Sequence, residues 1–371
     1  MQQPQKKQIQ EIQVLRLVAS MMVLISHLQH EVMDQSFVDT ANFKPFDPVF
    51  WAGGVDLFFI ISGFIMYHLS RNSFGKPGAP LQFILRRIVR VAPPYWFFTI
   101  AMLCAMVVFA SSIRYGSPSL EQIVGSFLFI PLPDPYGHFY PVLILGWTLN
   151  FEMLFYVVFA IGLFFSKGWG MTWVIAALLV LGGLPYFHVV QTPPFAFWAN
   201  PIVFEFLFGI ALAHLRDRGV RLGALAGWSL FVAGMLLMVV FKSTGLTELG
   251  GLWRPLWMGL PAFVACAGPA LLDEKLDNAL KPLMRVLVFG GNASFALYLS
   301  HPFSINLVAL VAPRIGIHSP WLYIFVAGGF AMFVAAFVYL LLERPMTGWL
   351  HRRFWGPKVP KSFDVPAVGP R

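Results

Sequence analysis

Arg16 and His27 stand eleven residues apart inside the first hydrophobic segment of the chain, Val14 to Met33. At 3.6 residues per turn that spacing is about three turns, so both side chains leave a helix on one face, roughly 16 Å apart along its axis. Glu31, four residues after His27, falls on the same face. A titratable group inside a bilayer costs about 2.5 kcal/mol or more on insertion scales, and such groups usually face a protein interior or a water-filled cavity. The stripe is therefore expected to turn inward, toward a site. For each residue alone a plainer role stays open: Arg16 can snorkel to the headgroups, and His27 can hydrogen-bond a neighbouring helix.

Other stretches carry chemistry at helical spacing. In Arg86-Arg87-Ile88-Val89-Arg90, Arg87 and Arg90 are neighbours on one helix face, and arginine forks match phosphate oxygens. With Arg86 beside them they form a candidate dock for a phosphorylated cytosolic donor, or else a topology determinant beside Tyr95 and Trp96. After Gly146-Trp147, the residues Thr148, Glu152 and Tyr156 recur every four positions. A glutamate at that depth can orient an imidazole, hold a proton, bind a hydroxyl-bearing ligand or fix helix packing. Ser294, Tyr298 and His301 make a third stripe, and Pro302 directly after it should bend the helix or free a carbonyl. Asp56, following Gly53-Gly54, is a partner for an inward cation or an interfacial carboxylate. Glu205, with no motif around it, is expected to be structural.

These residues need helices in lipid to position them. Hydrophobic residues make up 58% of the 371 and charged residues 12%, and the mean hydropathy is +0.70. That balance is far from a soluble domain and predicts an all-α, polytopic integral membrane helix bundle. No long alternating segments suggest a membrane β-barrel. Ten spans are read at about 14–33, 50–70, 93–113, 142–165, 171–189, 201–215, 223–241, 255–272, 286–310 and 320–342. With both termini cytoplasmic, twenty lysines and arginines fall inside against five outside, with Arg16 at a helix start. The asymmetry follows the positive-inside rule, so the net charge of +9 is a matter of topology and argues against nucleic acid as a partner.

The organisation expected is a short lead-in over 1–13, a transmembrane domain over 14–343 and a basic cytoplasmic tail over 344–371, mostly disordered from His351 onward. Residues 34–49 and 114–141 are expected as outside loops, the second long enough to cap a cavity. Glu343-Arg344-Pro345 should close the last span with a local ion pair. Cys104 and Cys266 sit in separate spans without metal-ligand spacing, so neither a disulfide nor a metal site is expected, nor a cleavable signal peptide or an internal repeat.

Arg16, ten intervening residues and then His27, the run Gly54-Val55-Asp56-Leu57-Phe58-Phe59-Ile60-Ile61-Ser62-Gly63-Phe64, Arg87-x-x-Arg90, Gly146-Trp147-x-Leu149-x-x-Glu152-x-x-Phe155-Tyr156 and Ser294-x-x-x-Tyr298-x-x-His301 together resemble the acyltransferase family 3 membrane proteins. Within that family the chain resembles the exopolysaccharide and O-antigen O-acetyltransferases. The resemblance runs from the first span to Glu343 and implies about ten spans in a bacterial inner membrane. It also implies transfer of an acetyl group from acetyl-CoA to a carbohydrate hydroxyl. By the same likeness His27 matches the essential histidine, Arg16 its companion, Arg87 and Arg90 the CoA-side motif and Glu152 the fourth-span acid. Asp56, Trp147, Tyr156, Ser294, Tyr298 and His301 are expected to support the substrates. Many relatives carry a hydrolase-like domain after the spans; none is expected here, so the acceptor, possibly lipid-linked, is expected to reach the membrane core itself. Neutral His27 would then be the general base, with Glu152 chosen over Glu31 and Asp56 as the acid beside it. A rival class, a proton-coupled transporter or flippase of a glycan or lipid intermediate, also suits intramembrane His, Glu and Arg, but has no use for an arginine phosphate clamp.

Overall fold

The computed structural model describes residues 9–46, 48–108, 117–134, 136–188, 192–243, 251–273 and 281–356. The chain runs through α1 (Gln10–Asp34), α2 (Pro48–Ala52), α3 (Gly54–Ser70), α4 (Ala79–Val108), α5 (Leu120–Leu128), α6 (Gly146–Gly162), α7 (Lys167–Gly183) and α8 (Phe195–Trp198). It continues through α9 (Phe204–Asp217), α10 (Ala224–Ser243), α11 (Leu260–Leu271), α12 (Lys281–Asn292), α13 (Ser294–Val311), α14 (Pro320–Val338) and α15 (Arg344–Trp355). Short 3-10 turns and two π turns, Pro255–Gly259 and Tyr339–Glu343, join some of them. Among the described residues there is no β-strand, only one isolated bridge between Leu222 and Leu272. A helix satisfies its own backbone, which is what a chain this apolar must do in lipid.

Among the described residues, seven helical stretches are long and apolar enough to cross a membrane, and α6 is a shorter apolar helix. The sequence reading differs from this in particular places. The third span, read at 93–113, overlaps the second half of α4, which begins at Ala79 and so already includes the stretch from Arg86 to Arg90; 109–113 lie outside the described residues. Pro93 and Pro94 lie inside α4 and take two donors from its hydrogen-bond ladder, at the carbonyls of Val89 and Arg90. The sixth and eighth spans fall on α9 and α11, which are shorter elements continued by 3-10 and π turns. The ninth divides at Ala293 into α12 and α13. The loop expected over 114–141 contains α5, capped by Ser119, whose hydroxyl accepts from the backbone N–H of Gln122. Glu343 does not end a helix: the last span passes through a π turn into α15, so the tail is helical to Trp355, and its remainder, 357–371, lies outside the described residues.

α1 is the central element. Of its most apolar window 72% is buried, against 17% for α10, which leaves α10 to face lipid. α1 packs against α3, α12, α13 and α14. Its polar positions Gln13, Arg16, Ser20, Ser26 and Gln29 are all buried. α3 is held against α9 by direct backbone contact. A Cβ at Gly63 would lie 2.1 Å from the Phe206 carbonyl oxygen, and one at Gly209 would lie 1.9 Å from that of Ile60. Close crossing of this kind, through small residues, supplies packing where no hydrophobic difference between helix and lipid exists. It fixes α3, and with it Ser62, opposite α6.

Candidate active site

A cavity opens between α1, α3, α4, α6 and α13, with about 830 Å³ of space not filled by atoms, open mouth included. Its apolar wall comes mostly from α3, through Phe58, Phe59 and Ile65. Its polar wall gathers the stripes read from four separate parts of the sequence: Arg16, Arg87 and Arg90, Glu152 and Tyr156 with Thr148, and Ser294 with Tyr298. Glu152 Oε1 accepts from Ser62 Oγ at 3.1 Å and from the Tyr156 hydroxyl. Arg16 Nη1 donates to Gln13 Oε1 at 3.1 Å, and Glu152 and Glu343 act on its charge from the other helices. Glu343 faces Arg90 as well. Arg87 Nε and Ser294 Oγ are buried at this cavity with no protein partner. Three cations, one lining carboxylate with a second behind them, and donors left over give an arrangement that can pair with an anionic group.

A family model described as an acyltransferase domain matches residues 9–341. This chain belongs to the acyltransferase family 3. Its sequence is similar to the exopolysaccharide production protein ExoZ of Rhizobium meliloti (strain 1021), 33% identical over 310 residues that cover 80% of this chain and 89% of that protein. No solved structure matches.

His27, eleven residues beyond Arg16 on α1, takes a different place. His27 is partly buried on α1 and does not line the cavity, whose wall reaches Tyr298 and stops one turn short of His301. Its partner is His301: His27 Nδ1 and His301 Nε2 are 2.9 Å apart, with ring centroids at 4.9 Å. The carboxylate expected beside the imidazole is thus replaced by a second imidazole. Glu152 serves the arginine cavity, Glu31 accepts from the Gln35 side chain, and Asp56 belongs elsewhere. Tyr298 lies between the two parts of the site. Its hydroxyl donates to the Leu145 carbonyl at 2.8 Å and meets Thr148 Oγ at 2.6 Å, while its ring lies edge-on to His301.

Other expected site residues are set apart. Arg86 is exposed on α4, its guanidinium 5.8 Å from the centre of the Trp355 ring, away from Arg87 and Arg90. Trp147 packs edge-on to Phe151 and is not part of the cavity wall. Asp56, fully buried, is the partner of an inward cation, Arg254, whose Nε donates at 3.0 Å and whose Nη2 contacts the second oxygen. Glu205 joins that pair.

Three residues of these clusters were not picked out by pattern. Ser62 sits in an unbroken apolar run, where a lone hydroxyl carries little signal. Arg254 lies in a connecting segment, where a lone arginine has no helical spacing to mark it. Glu343 has a cation, Arg344, next to it in sequence, which hides its reach inward to the charges of Arg90 and Arg16.

Proposed function

We propose that this chain is a membrane O-acetyltransferase that moves an acetyl group from cytosolic acetyl-CoA to a hydroxyl of an exopolysaccharide, O-antigen or lipid-linked glycan. It would span the bacterial inner membrane about ten times, α9 and α11 completing the count, with both termini cytoplasmic. One observation carries the reading: Arg16, Arg87 and Arg90, from two helices, converge on one cavity in a family of acyltransferases. The similarity to a protein of exopolysaccharide production supports the acceptor class. Family membership also favours transfer over the transport of an intermediate.

In this reading Arg87 and Arg90 hold the phosphates of the donor, and its pantetheine arm runs past Ser294 and Tyr298 toward His27. Glu152 and Glu343 hold the arginines in place without cancelling their charge. A hydroxyl of the acceptor attacks the thioester carbonyl carbon as the His27 imidazole takes its proton, an effect typically worth about 10² to 10⁴ in rate. The C–S bond breaks and the sulfur leaves as thiolate, which recovers the proton from His27. Direct transfer of this kind needs no acetylated enzyme; trapping one after incubation with acetyl-CoA alone would show a relay instead.

The test is mass spectrometry of the glycan from cells carrying the wild-type gene, no gene or His27→Ala. The acetyl group should be present only with the wild type, while His27→Ala accumulates in the membrane at the wild-type level. Retained acetylation in that variant would remove His27 from the chemistry.

A further inference from the structure

His301 is 1% exposed, and both of its ring nitrogens are engaged. Nδ1 lies 3.0 Å from the Leu297 carbonyl oxygen, four residues back on the same helix, and the Tyr298 carbonyl also bears on the ring. Pro302 has no N–H to give to the Tyr298 carbonyl, so the proline leaves that oxygen free for the imidazole. A carbonyl only accepts. Nδ1 of His301 therefore carries the hydrogen, and in a neutral ring Nε2 is then a bare acceptor.

The consequence passes to the next ring. Nε2 of His301 is 2.9 Å from Nδ1 of His27, so that nitrogen must be the donor, which leaves Nε2 of His27 with its lone pair. No carboxylate is bonded to either ring among the described residues. Of the titratable groups nearby, His30 has its Nδ1 turned to the Ser26 carbonyl at 2.8 Å, and Glu31, one turn on from His27, accepts from the Gln35 side chain. Neither ring has a bonded anion to balance a resting positive charge, and the neutral pair is the assignment that satisfies every hydrogen bond.

We propose that His301 is a positioning residue that fixes the tautomer of His27, keeping its Nε2 bare and aimed for proton abstraction. The role rests on the reading of His27 as general base. In the transfer step, the acceptor oxygen bonds to the carbonyl carbon, its proton moves to Nε2 of His27, and the C–S electron pair leaves on sulfur. His27 is then an imidazolium whose Nδ1–H still points at the lone pair of His301. The row of hydrogen bonds ends on backbone carbonyls, which pass no proton on, so the proton returns from Nε2 to the thiolate. The pair thus closes a proton cycle within the reaction and supplies no conduit across the membrane.

Two measurements decide this. Nitrogen-15 NMR of histidine-labelled protein in bilayers, with signals assigned by loss in His27→Ala and His301→Phe, should show His27 protonated at Nδ1 and bare at Nε2. A protonated Nε2 on His27 in the wild type would overturn the proposal. In acetyl transfer, His301→Phe should lower kcat by about 10- to 100-fold, part of what an aligned base supplies, with an unchanged KM for acetyl-CoA. His301→Gln, whose amide oxygen reaches the place of Nε2, should recover most of that loss. If the glutamine variant accumulates normally yet is no better than phenylalanine, the positioning role is wrong. Failure of the base reading looks different: His27→Ala would keep acetylating, and the wild-type spectrum would still decide the tautomer.

Discussion

At the cavity three arginines meet one lining glutamate, Glu152, with Glu343 behind them, whereas between α3 and α9 one arginine, Arg254, meets two carboxylates, Asp56 and Glu205, and none of these three borders the cavity. Both clusters are buried at membrane depth and both join distant parts of the chain. In the closed one the Asp56 oxygens are matched by Nε and Nη2 of one guanidinium, the geometry of a pair that holds two segments together. In the open one Arg87 Nε and Ser294 Oγ have no protein partner and cations are in excess, whereas in the closed one the two Glu205 oxygens have no hydrogen-bond partner and carboxylates are in excess, away from the cavity. Buried charge alone is thus a poor guide to function; surplus charge beside open space is the better one.

The contrast breaks most visibly at Asp56. Asp56→Ala would strand Arg254 beside the buried Glu205, and losing one member of a buried pair costs about 3–5 kcal/mol. The variant should accumulate poorly, and what remains in the membrane should unfold at lower temperature in detergent, as read by a thermal shift. Protein that inserts and unfolds like the wild type would show that the closed cluster does not hold the fold.

Glu152→Gln tests the other cluster. The amide still accepts from Ser62 but no longer offsets Arg16 and Arg87, and hydrogen bonds to charged groups are worth about 1.5–3 kcal/mol. Turnover should fall by about 10- to 100-fold, taking 1.4 kcal/mol as a factor of ten, with normal accumulation in the membrane. A variant that is fully active yet unstable would reverse the assignment of the two clusters.

The sequence pattern located much of the cavity because helices impose a period: Thr148, Glu152 and Tyr156 needed only their spacing to reach one wall. What spacing does not carry is which stripe faces which. Arg16 and His27 share a face of α1, yet over three turns that face passes from the cavity to α13, and so the partner of His27 came from a third stripe and not from Glu152. The same limit applies to Glu343, whose charge acts on Arg90 and Arg16, far away in sequence. Span lengths were read well where apolar runs were uninterrupted, as in α1 and α10. They were read less well where arginines continue a helix, as in α4, or where π and 3-10 turns extend short ones, as at α9 and α11.

Arg90→Ala should act on the donor more than on the step. A lost phosphate contact weakens binding by about 1.5–3 kcal/mol, so KM for acetyl-CoA should rise by about tenfold or more while kcat changes less. An unchanged KM would place the phosphates elsewhere.

Arg86→Ala gives the smallest effect and the sharpest control. Arg86 precedes Arg87 in sequence, but successive helix positions are about 100° apart, so the two leave α4 in different directions. Arg87 reaches the cavity, and Arg86 lies over the Trp355 ring at the protein surface. An exposed cation–π contact is worth about 0.5–1 kcal/mol, so a slight loss of thermal stability is expected. KM for acetyl-CoA should stay within about twofold of the wild type, well below the 1.4 kcal/mol that makes a factor of ten. Should Arg86→Ala raise KM as far as Arg90→Ala does, the donor would be read by the basic surface of α4 as a whole. The surplus of charge beside the cavity would then lose its special standing.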